Sequence, residues 1–325
     1  MHEALYYEKA GNGDVNCLLC PAHCHIMQDK VGACGVRKNM DGILYTENYG
    51  RVSALALDSI EKKPLFHFYP GSYILSVSSY GCNLKCKFCQ NWELSQGKPD
   101  IEELTVDKVI EAAKECRGNI GIAYTYNEPL VWYEFVLDTA KKAKENGLAN
   151  VLVTNGFIEE QPLIELLPYI SAMNVDIKGD NEFYKKICGG NIGSVRKTIA
   201  RSYGRTHIEV TYLIIPGLND SESQINDMAK WLSSVGRDIP LHLSRYYPQY
   251  KMTRPETPVE TMLTARDTAK QYLDYVYIGN VYGTDDGTYC PECHSLLVER
   301  GYKKKIVGIK DGQCTNCGHK INMIM

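Results

Sequence analysis

The chain has 325 residues, 44% of them hydrophobic, which is long enough to bury one large core or two ordinary ones. A formal net charge of −3 gives no bulk electrostatic reason to expect a nucleic-acid partner. No apolar run approaches the length of a membrane span, and the first nine residues lack the basic and then apolar layout of a signal peptide, so a cytoplasmic protein without membrane association is expected. Thirteen cysteines would suit a disulfide scaffold only in a much smaller chain. Eleven of them fall in three compact groups, which points to metal ligands in a reducing compartment, while Cys116 and Cys188 read as buried small apolar residues.

The first group is Cys17, Cys20, Cys24 and Cys34, with Gly32 and Gly35 allowing sharp turns around the last of them. Four thiolates in so short a stretch can wrap one tetrahedral ion or one iron–sulfur cube; zinc and an auxiliary cluster both fit, and a metal-free set of thiols is the third alternative. His23 and His25 read as solvated side chains beside this group rather than as ligands. Residues 42–57 alternate and break at glycine, as a small sheet or hairpin would.

The second group follows the apolar, strand-like run 73–79: Cys82, Cys86 and Cys89 sit in one loop with Cys-x3-Cys-x2-Cys spacing. A 4Fe-4S cube normally takes four cysteines, so three local ones leave one iron open for a chelating small molecule. A zinc loop or three buried thiols is the bland alternative.

Beyond the loop the chain alternates strand-like and helix-like segments, the pattern of parallel βα units. Helices are expected over 105–116 with Thr105 as N-cap, 132–145, a short one from about Pro162, 181–187, 192–202, 221–234 and 258–272. Strands are expected over 118–124, 149–154, 172–177, 207–214 and 240–244, which with 73–79 gives six βα units. Functional groups on such sheets gather at the C-terminal strand ends. The polar residues there are Asn127 and Glu128, Asn155, Asp176 and Lys178, the turn at Gly217, and His242 with Arg245 and Tyr247. Taken singly they read as a helix cap, an ion pair, a turn and a core histidine. Their order at consecutive strand ends after the cysteine loop is the stronger signal.

The third group, Cys290, Cys293, Cys314 and Cys317, forms two Cys-x2-Cys knuckles with twenty residues between them. This is the spacing of a structural zinc ribbon, with rubredoxin-like iron as the rival, and His294 and His319 are not needed as ligands. Lys303, Lys304 and Lys305 read as the solvated face of a hairpin.

Cys82-x3-Cys86-x-Phe88-Cys89, with an aromatic residue before the third cysteine, resembles the signature of the radical S-adenosylmethionine (SAM) superfamily. The resemblance implies a 4Fe-4S cluster whose open iron is chelated by the methionine end of SAM, and reductive cleavage to a 5'-deoxyadenosyl radical that abstracts hydrogen from a substrate. It also implies an external electron donor of flavodoxin or ferredoxin type. Cofactor contacts would then come from Phe88, Gln90 and Asn91 in the loop, from Asn127 and Glu128 in place of the superfamily's Gly-Gly-Glu stretch, and from Asn155 and His242. Asp176 and Lys178 resemble the stretch of the pyruvate formate-lyase activating enzymes that meets the ribose and the carboxylate, and Gly217 lies in the loop beside the adenine.

Residues 17–37, 63–71, 81–92, 126–129 and 242–247 are most similar to the AmmeMemoRadiSam-system radical enzymes, which implies a Memo-like or AMME-type protein partner. The extra cysteines lie at the two ends rather than after the radical loop, a departure from activating enzymes of that group. The expected architecture is therefore α/β: a cysteine-rich segment over 1–63, a partial (β/α)6 TIM-type barrel over 64–283, and a zinc ribbon over 284–325. The expected function is that of a radical SAM enzyme. A glycyl-radical-enzyme activase and a non-catalytic metal-binding adaptor are the alternatives.

Overall fold

Alternating extended and helical segments from residue 54 onward build one eight-stranded sheet. Its strands, in chain order and in sheet order alike, are β1 (Ala54–Ser59), β2 (Tyr73–Ser78), β3 (Asn119–Tyr124), β4 (Ala149–Thr154), β5 (Ala172–Ile177), β6 (His207–Ile214), β7 (Leu241–Arg245) and β8 (Val276–Gly279). The computed structural model describes residues 1–301 and 304–325. Every neighbouring pair is parallel except β1 and β2, which run antiparallel from Ala54 against Ser78 to Ser59 against Tyr73.

Helices α1 (Val106–Glu115), α2 (Tyr133–Glu145), α3 (Glu160–Leu166), α4 (Ile192–Ser202), α5 (Glu222–Val235) and α6 (Val259–Lys270) follow β2 to β7 in turn, so six strand–helix units run in succession. Local chemistry sets their starts. The Thr105 hydroxyl accepts from the Lys108 amide, and Ser221 and Gln224 form a reciprocal capping box.

Successive side chains of a strand point to opposite faces. Leu75, Val77, Ile122, Tyr124, Leu152 and Val175 join the large core shared with the helices, whereas Ile74, Ala123, Val151 and Ala172 pack on the other face with Ile60, Leu65 and Phe68. Burial on both faces is why these strands read as nearly continuous apolar runs. No helix among the described residues is long and apolar enough to cross a membrane.

One sequence expectation changes at the edge of this sheet. The alternating run 42–57 does not fold back on itself as one small sheet. Ile43–Thr46 pairs with Arg37–Met40 and His2–Glu3, Arg51–Val52 pairs with Glu102–Glu103, and Ala54–Ser59 becomes the antiparallel edge strand. At the opposite edge Val276–Gly279 supplies β8, in parallel register with β7. The helical stretch expected over 181–187 is one turn, Asn181–Phe183, continued by a π-helical turn, Tyr184–Cys188, that stops at Gly189 in the left-handed region. Of the three hairpin lysines, Lys303 lies outside the described residues, and Lys304 and Lys305 are exposed on strand Lys304–Ile306.

The first fifty residues form two three-stranded sheets tied to α2 by a buried ion pair. Arg37 (1% exposed) meets Glu134 (2% exposed), and the Leu5 amide and carbonyl close the arrangement at 2.8 Å each. At the other end of the molecule, residues 322–324 return to the main sheet. Ile324 pairs with Phe68, and the His67 ring is fixed between the Asn322 carbonyl (3.0 Å) and the Tyr277 hydroxyl (2.7 Å). A neutral ring satisfies both contacts, donating from Nδ1 to the carbonyl and accepting at Nε2.

Burial pushes the His67 pKa down to about 4; nearby Glu209 opposes the shift, and Arg300 and His207 add to it. An unfolded histidine takes up its proton near pH 6.5. Between these values the unfolded chain binds the extra proton, so stability falls as pH is lowered from about 6.5 to 4, by up to about 3 kcal/mol. Melting temperature should therefore drop between pH 7 and pH 5, and by less in His67→Gln. Equal drops in the two proteins would show that another group carries the acid sensitivity.

Candidate functional site

The cysteine loop leaves the C-terminal end of β2 and is braced on three sides. Gly81 has φ +90°, and a Cβ there would lie 2.6 Å from Val36 Cγ1 and 2.8 Å from the Cys34 carbonyl, so only glycine lets the loop pass this close to the N-terminal segment. The Cys82 amide then donates to the Cys34 carbonyl at 3.2 Å. On the second side the π-helical turn supplies carbonyls: Cys188 O accepts from Lys85 N (2.6 Å) and Ile187 O from Lys87 N (3.2 Å). On the third, the Asn127 side chain bridges Ser79 N (3.0 Å) and Gly81 O (3.2 Å), while Asn91 Nδ2 donates to Tyr126 O (2.9 Å).

One hydrogen-bonded chain links the loop to the ends of β3 and β4. Glu128 accepts from the Thr154 hydroxyl (2.6 Å) and Leu130 amide (3.0 Å) at one oxygen, and from the Asn155 amide (2.8 Å) at the other. Asn155 Nδ2 in turn lies 3.0 Å from Asn83 Oδ1 and 3.6 Å from Cys82 Sγ. Burial pushes the Glu128 carboxyl up to about 7 against these donors. The side-chain oxygens of Asn127 and Glu128 are thus spent on bracing. Tyr126 enters the turn with φ +70°, a conformation rare for a tyrosine and of the kind that collects at functional sites.

At the end of β5, Lys178 Nζ lies 2.6 Å from Asp176 Oδ2. Burial works against the ammonium, but Asp176 overrides it, with Cys86 adding to the effect, and the lysine is held charged beside the cysteines. Phe88 is buried against Phe183, with ring centroids 5.8 Å apart. Gly217 is in the left-handed region at φ +68°, its amide on Asp220 Oδ1 at 2.9 Å. One expected contact, His242, stands apart from this group. Gln90 is exposed, and His242 sits at the start of β7, hydrogen-bonded to buried Glu209 at 2.6 Å and packed edge-on against Phe66. Glu209 also accepts from His207 and from the Phe66 and His67 amides, so His242 belongs to a structural hub at the N-terminal strand ends.

The structure adds residues that sequence reasoning passed over. Asp58 accepts from Lys63 Nζ (2.8 Å), the Ser76 hydroxyl (2.9 Å) and the Tyr126 hydroxyl, and Lys63 lies 4.5 Å above the Tyr126 ring. Burial raises the Asp58 pKa, but Lys63 and the two hydroxyls outweigh it and hold the carboxyl well below the usual range. Lys63 sits in the charged run Glu61-Lys62-Lys63 before Pro64, so its burial had no local signal. Cys188, expected as inert filler, neighbours Cys86; that neighbour and burial hold the Cys86 thiol well above its ordinary pKa.

Burial likewise raises Cys82 and Cys89. Three such thiols become thiolates when a cation replaces their protons. Among the described residues, the thiols gathered within 4.8 Å of one another are Cys290, Cys293, Cys314 and Cys317; those of Cys82, Cys86 and Cys89 stand wider apart. A wide three-thiol loop with amide support at sulfur, Leu84 N to Cys82 Sγ at 3.4 Å, fits the corners of a cube rather than a single ion.

Comparison with known proteins agrees with this reading. The family model of the radical SAM superfamily matches residues 76–232. An uncharacterized protein of Methanocaldococcus jannaschii is 45% identical over 338 aligned positions, covering 100% of both chains. Pyruvate formate-lyase 1-activating enzyme of Escherichia coli K12 is 24% identical over 216 positions, covering 59% of this chain and 86% of that protein. Among solved structures, a radical SAM methyltransferase from Sphaerobacter thermophilus aligns with TM-score 0.51 and 20% identity over 69% of this chain and 71% of its own. Streptococcus suis SuiB bound to S-adenosylmethionine aligns with TM-score 0.52 and 13% identity over 64% of this chain and 52% of its own, a likeness of fold alone. A cysteine loop at the end of the first parallel strand, six strand–helix units behind it and these relatives place the chain in the radical SAM superfamily as an enzyme of that type.

Proposed function

We propose that the loop of Cys82, Cys86 and Cys89 holds a 4Fe-4S cluster and SAM at the C-terminal ends of β2 to β6, the mouth of a partial (β/α)6 barrel. When bound, these groups supply reductive cleavage of the sulfonium and a 5'-deoxyadenosyl radical that abstracts hydrogen. The observation that carries the reading is the chain Glu128, Asn155, Cys82, which fixes the cysteine loop and two further strand ends as one unit. Within it, Asn127 and Glu128 act as positioning residues, and the backbone they hold faces the ammonium of the cofactor. Lys178, kept charged by Asp176, complements the carboxylate, and Asp176 has a second oxygen for a ribose hydroxyl. Phe88 fills the space behind the loop and excludes water. An electron donor of flavodoxin or ferredoxin type completes the reaction.

The test is chromatography for 5'-deoxyadenosine after SAM is added to anaerobically reconstituted, dithionite-reduced protein. Formation of the nucleoside is expected. Its absence from a sample with a verified, reducible cluster would overturn the reading.

A second reading, activation of a glycyl-radical enzyme, is favoured by the 24% identity to the E. coli activating enzyme. It predicts a glycyl radical signal on a partner protein. The stretches 17–37 and 63–71 favour membership of the AmmeMemoRadiSam group, with a Memo-like or AMME-type protein as partner. The division into 1–63, 64–283 and 284–325 follows the three cysteine groups.

For the last group we propose structural zinc. Cys290 and Cys317 sulfurs are 3.6 Å apart and those of Cys293 and Cys314 3.7 Å, against about 3.8 Å for thiolates on a tetrahedral ion with Zn–S near 2.3 Å. Among the described residues the buried apolar core here is Leu297, Val298 and Ile321 around the cysteines, with Ile309 and Met323 partly buried against it, too small to hold without a metal. Chelation should strip one zinc and collapse amide hydrogen-exchange protection at Leu297 and Val298 while β4 to β6 stay protected. Unchanged protection after metal loss would reject a structural ion.

A further inference from the structure

We propose that Cys17, Cys20, Cys24 and Cys34 hold a second 4Fe-4S cluster, closed by four thiolates and set directly against the Cys82 loop. The four residues come from separate local turns. Cys17 ends the strand Val15–Cys17, and its amide donates to the Cys24 carbonyl at 2.9 Å. Cys20 lies in the turn closed by His23 N at 3.1 Å, and Cys34 in the turn from Gly32 to Gly35, where Gly35 takes φ +81°. All four thiols line one shared void, walled otherwise by aliphatic side chains, Arg37 and Asn83.

The spread of the sulfurs favours a cube over an ion. Thiolates on tetrahedral zinc stand about 3.8 Å apart. The four C-terminal cysteines have closed to within 4.8 Å of one another, yet no three of Cys17, Cys20, Cys24 and Cys34 come that close together. Four thiols held apart around a void match a core with its own four irons and four sulfides, in which each thiolate binds a different corner.

Polar groups at the wall suit such a core. The Ala33 amide donates to Cys24 Sγ at 3.4 Å, and the guanidinium of Arg37, paired on its other side with Glu134, reaches Cys17 Sγ at 3.7 Å, so two N–H donors face a cluster whose four thiolates make it net negative. The site touches the radical loop twice: Cys34 O accepts from Cys82 N, and Asn83, in the wall of the void, is also the partner of Asn155. With every iron taken by cysteine, this cluster has no position for SAM.

The inference stands independently of the reading at Cys82, and the test keeps the two apart. The variant Cys82→Ala/Cys86→Ala/Cys89→Ala, reconstituted anaerobically as the full chain, should retain about four irons and four sulfides, with zinc confined to the C-terminal group. After dithionite reduction its electron paramagnetic resonance signal should be unchanged by SAM. Two zinc ions and no iron, or two irons per chain, would overturn the proposal, as would a signal that shifts on adding SAM. Conversely, Cys20→Ser/Cys24→Ser should lose about half of the wild-type iron while its remaining signal still responds to SAM; retention of all the iron would also overturn it. If that variant fails to fold, the iron count of the triple variant decides alone.

Discussion

Replacing Cys86 by alanine should lower the rate of 5'-deoxyadenosine formation by at least about 10³-fold, equivalent to about 4 kcal/mol of barrier. Cys86 is 9% exposed, sits at the centre of the loop, and packs on the π-helical turn through Cys188 and on Lys178 through charge. No other thiol of the loop can take its corner, because Cys82 is fixed by the Cys34 carbonyl and Cys89 lies against the Ser95 hydroxyl at 3.1 Å. Cys82→Ala and Cys89→Ala should behave alike. Zinc content should stay at the wild-type value in all three, which separates loss of the cluster from loss of the fold. Cys188→Ala is the informative contrast, because it removes only a neighbour of the loop: iron should remain and activity should fall far less. Equal loss in Cys188→Ala would mean that Cys188 is itself a ligand.

Arg37→Met should destabilise the folded protein by about 3–5 kcal/mol, the usual consequence of stranding one member of a buried ion pair. Glu134 is almost entirely buried, one of its oxygens has no partner, and the other is shared between Arg37 and the Leu5 amide. With the guanidinium gone, a carboxylate would remain in the seam between the N-terminal sheets and α2. The double variant Arg37→Met/Glu134→Leu removes both charges and should recover much of the loss. Denaturant unfolding under anaerobic conditions measures both. A single-variant loss below 1 kcal/mol would show that the seam admits water and that the pair is not desolvated.

Much of the site was legible because its signals are local. Three cysteines at fixed spacing, a strand before them and capped helices after each later strand are all written within a few residues of one another; Thr105 and Ser221 mark helix starts in the sequence and are caps in the structure. What stayed hidden depends on distant partners. His242 reads as a group at the strand mouth until Glu209, 33 positions earlier, is seen to hold it at the opposite end. Asn127 and Glu128 read as free acceptors until the Ser79 and Asn155 amides are seen to occupy them. The edge strand Ala54–Ser59 was mistaken for part of a hairpin because alternation specifies a strand but not its neighbour. Spacing alone left the four N-terminal cysteines open between an ion and a cube, since the separation of their sulfurs is a property of the folded turns.

The contact between His67 and Asn322 spans 255 positions, and it fixes when this protein can finish folding. At about 5–20 residues per second on the ribosome, roughly 10–50 s pass after His67 is made before its partner emerges. Throughout that interval the apolar set of Ile60, Leu65 and Phe68 lacks the wall that Ile324 provides, although every strand from β1 to β6 is already available to pair. The nascent chain is therefore a natural client for chaperones that shield incomplete sheets. A gene product cut short before the last cysteine group would be left permanently in that state and should collect in the insoluble fraction.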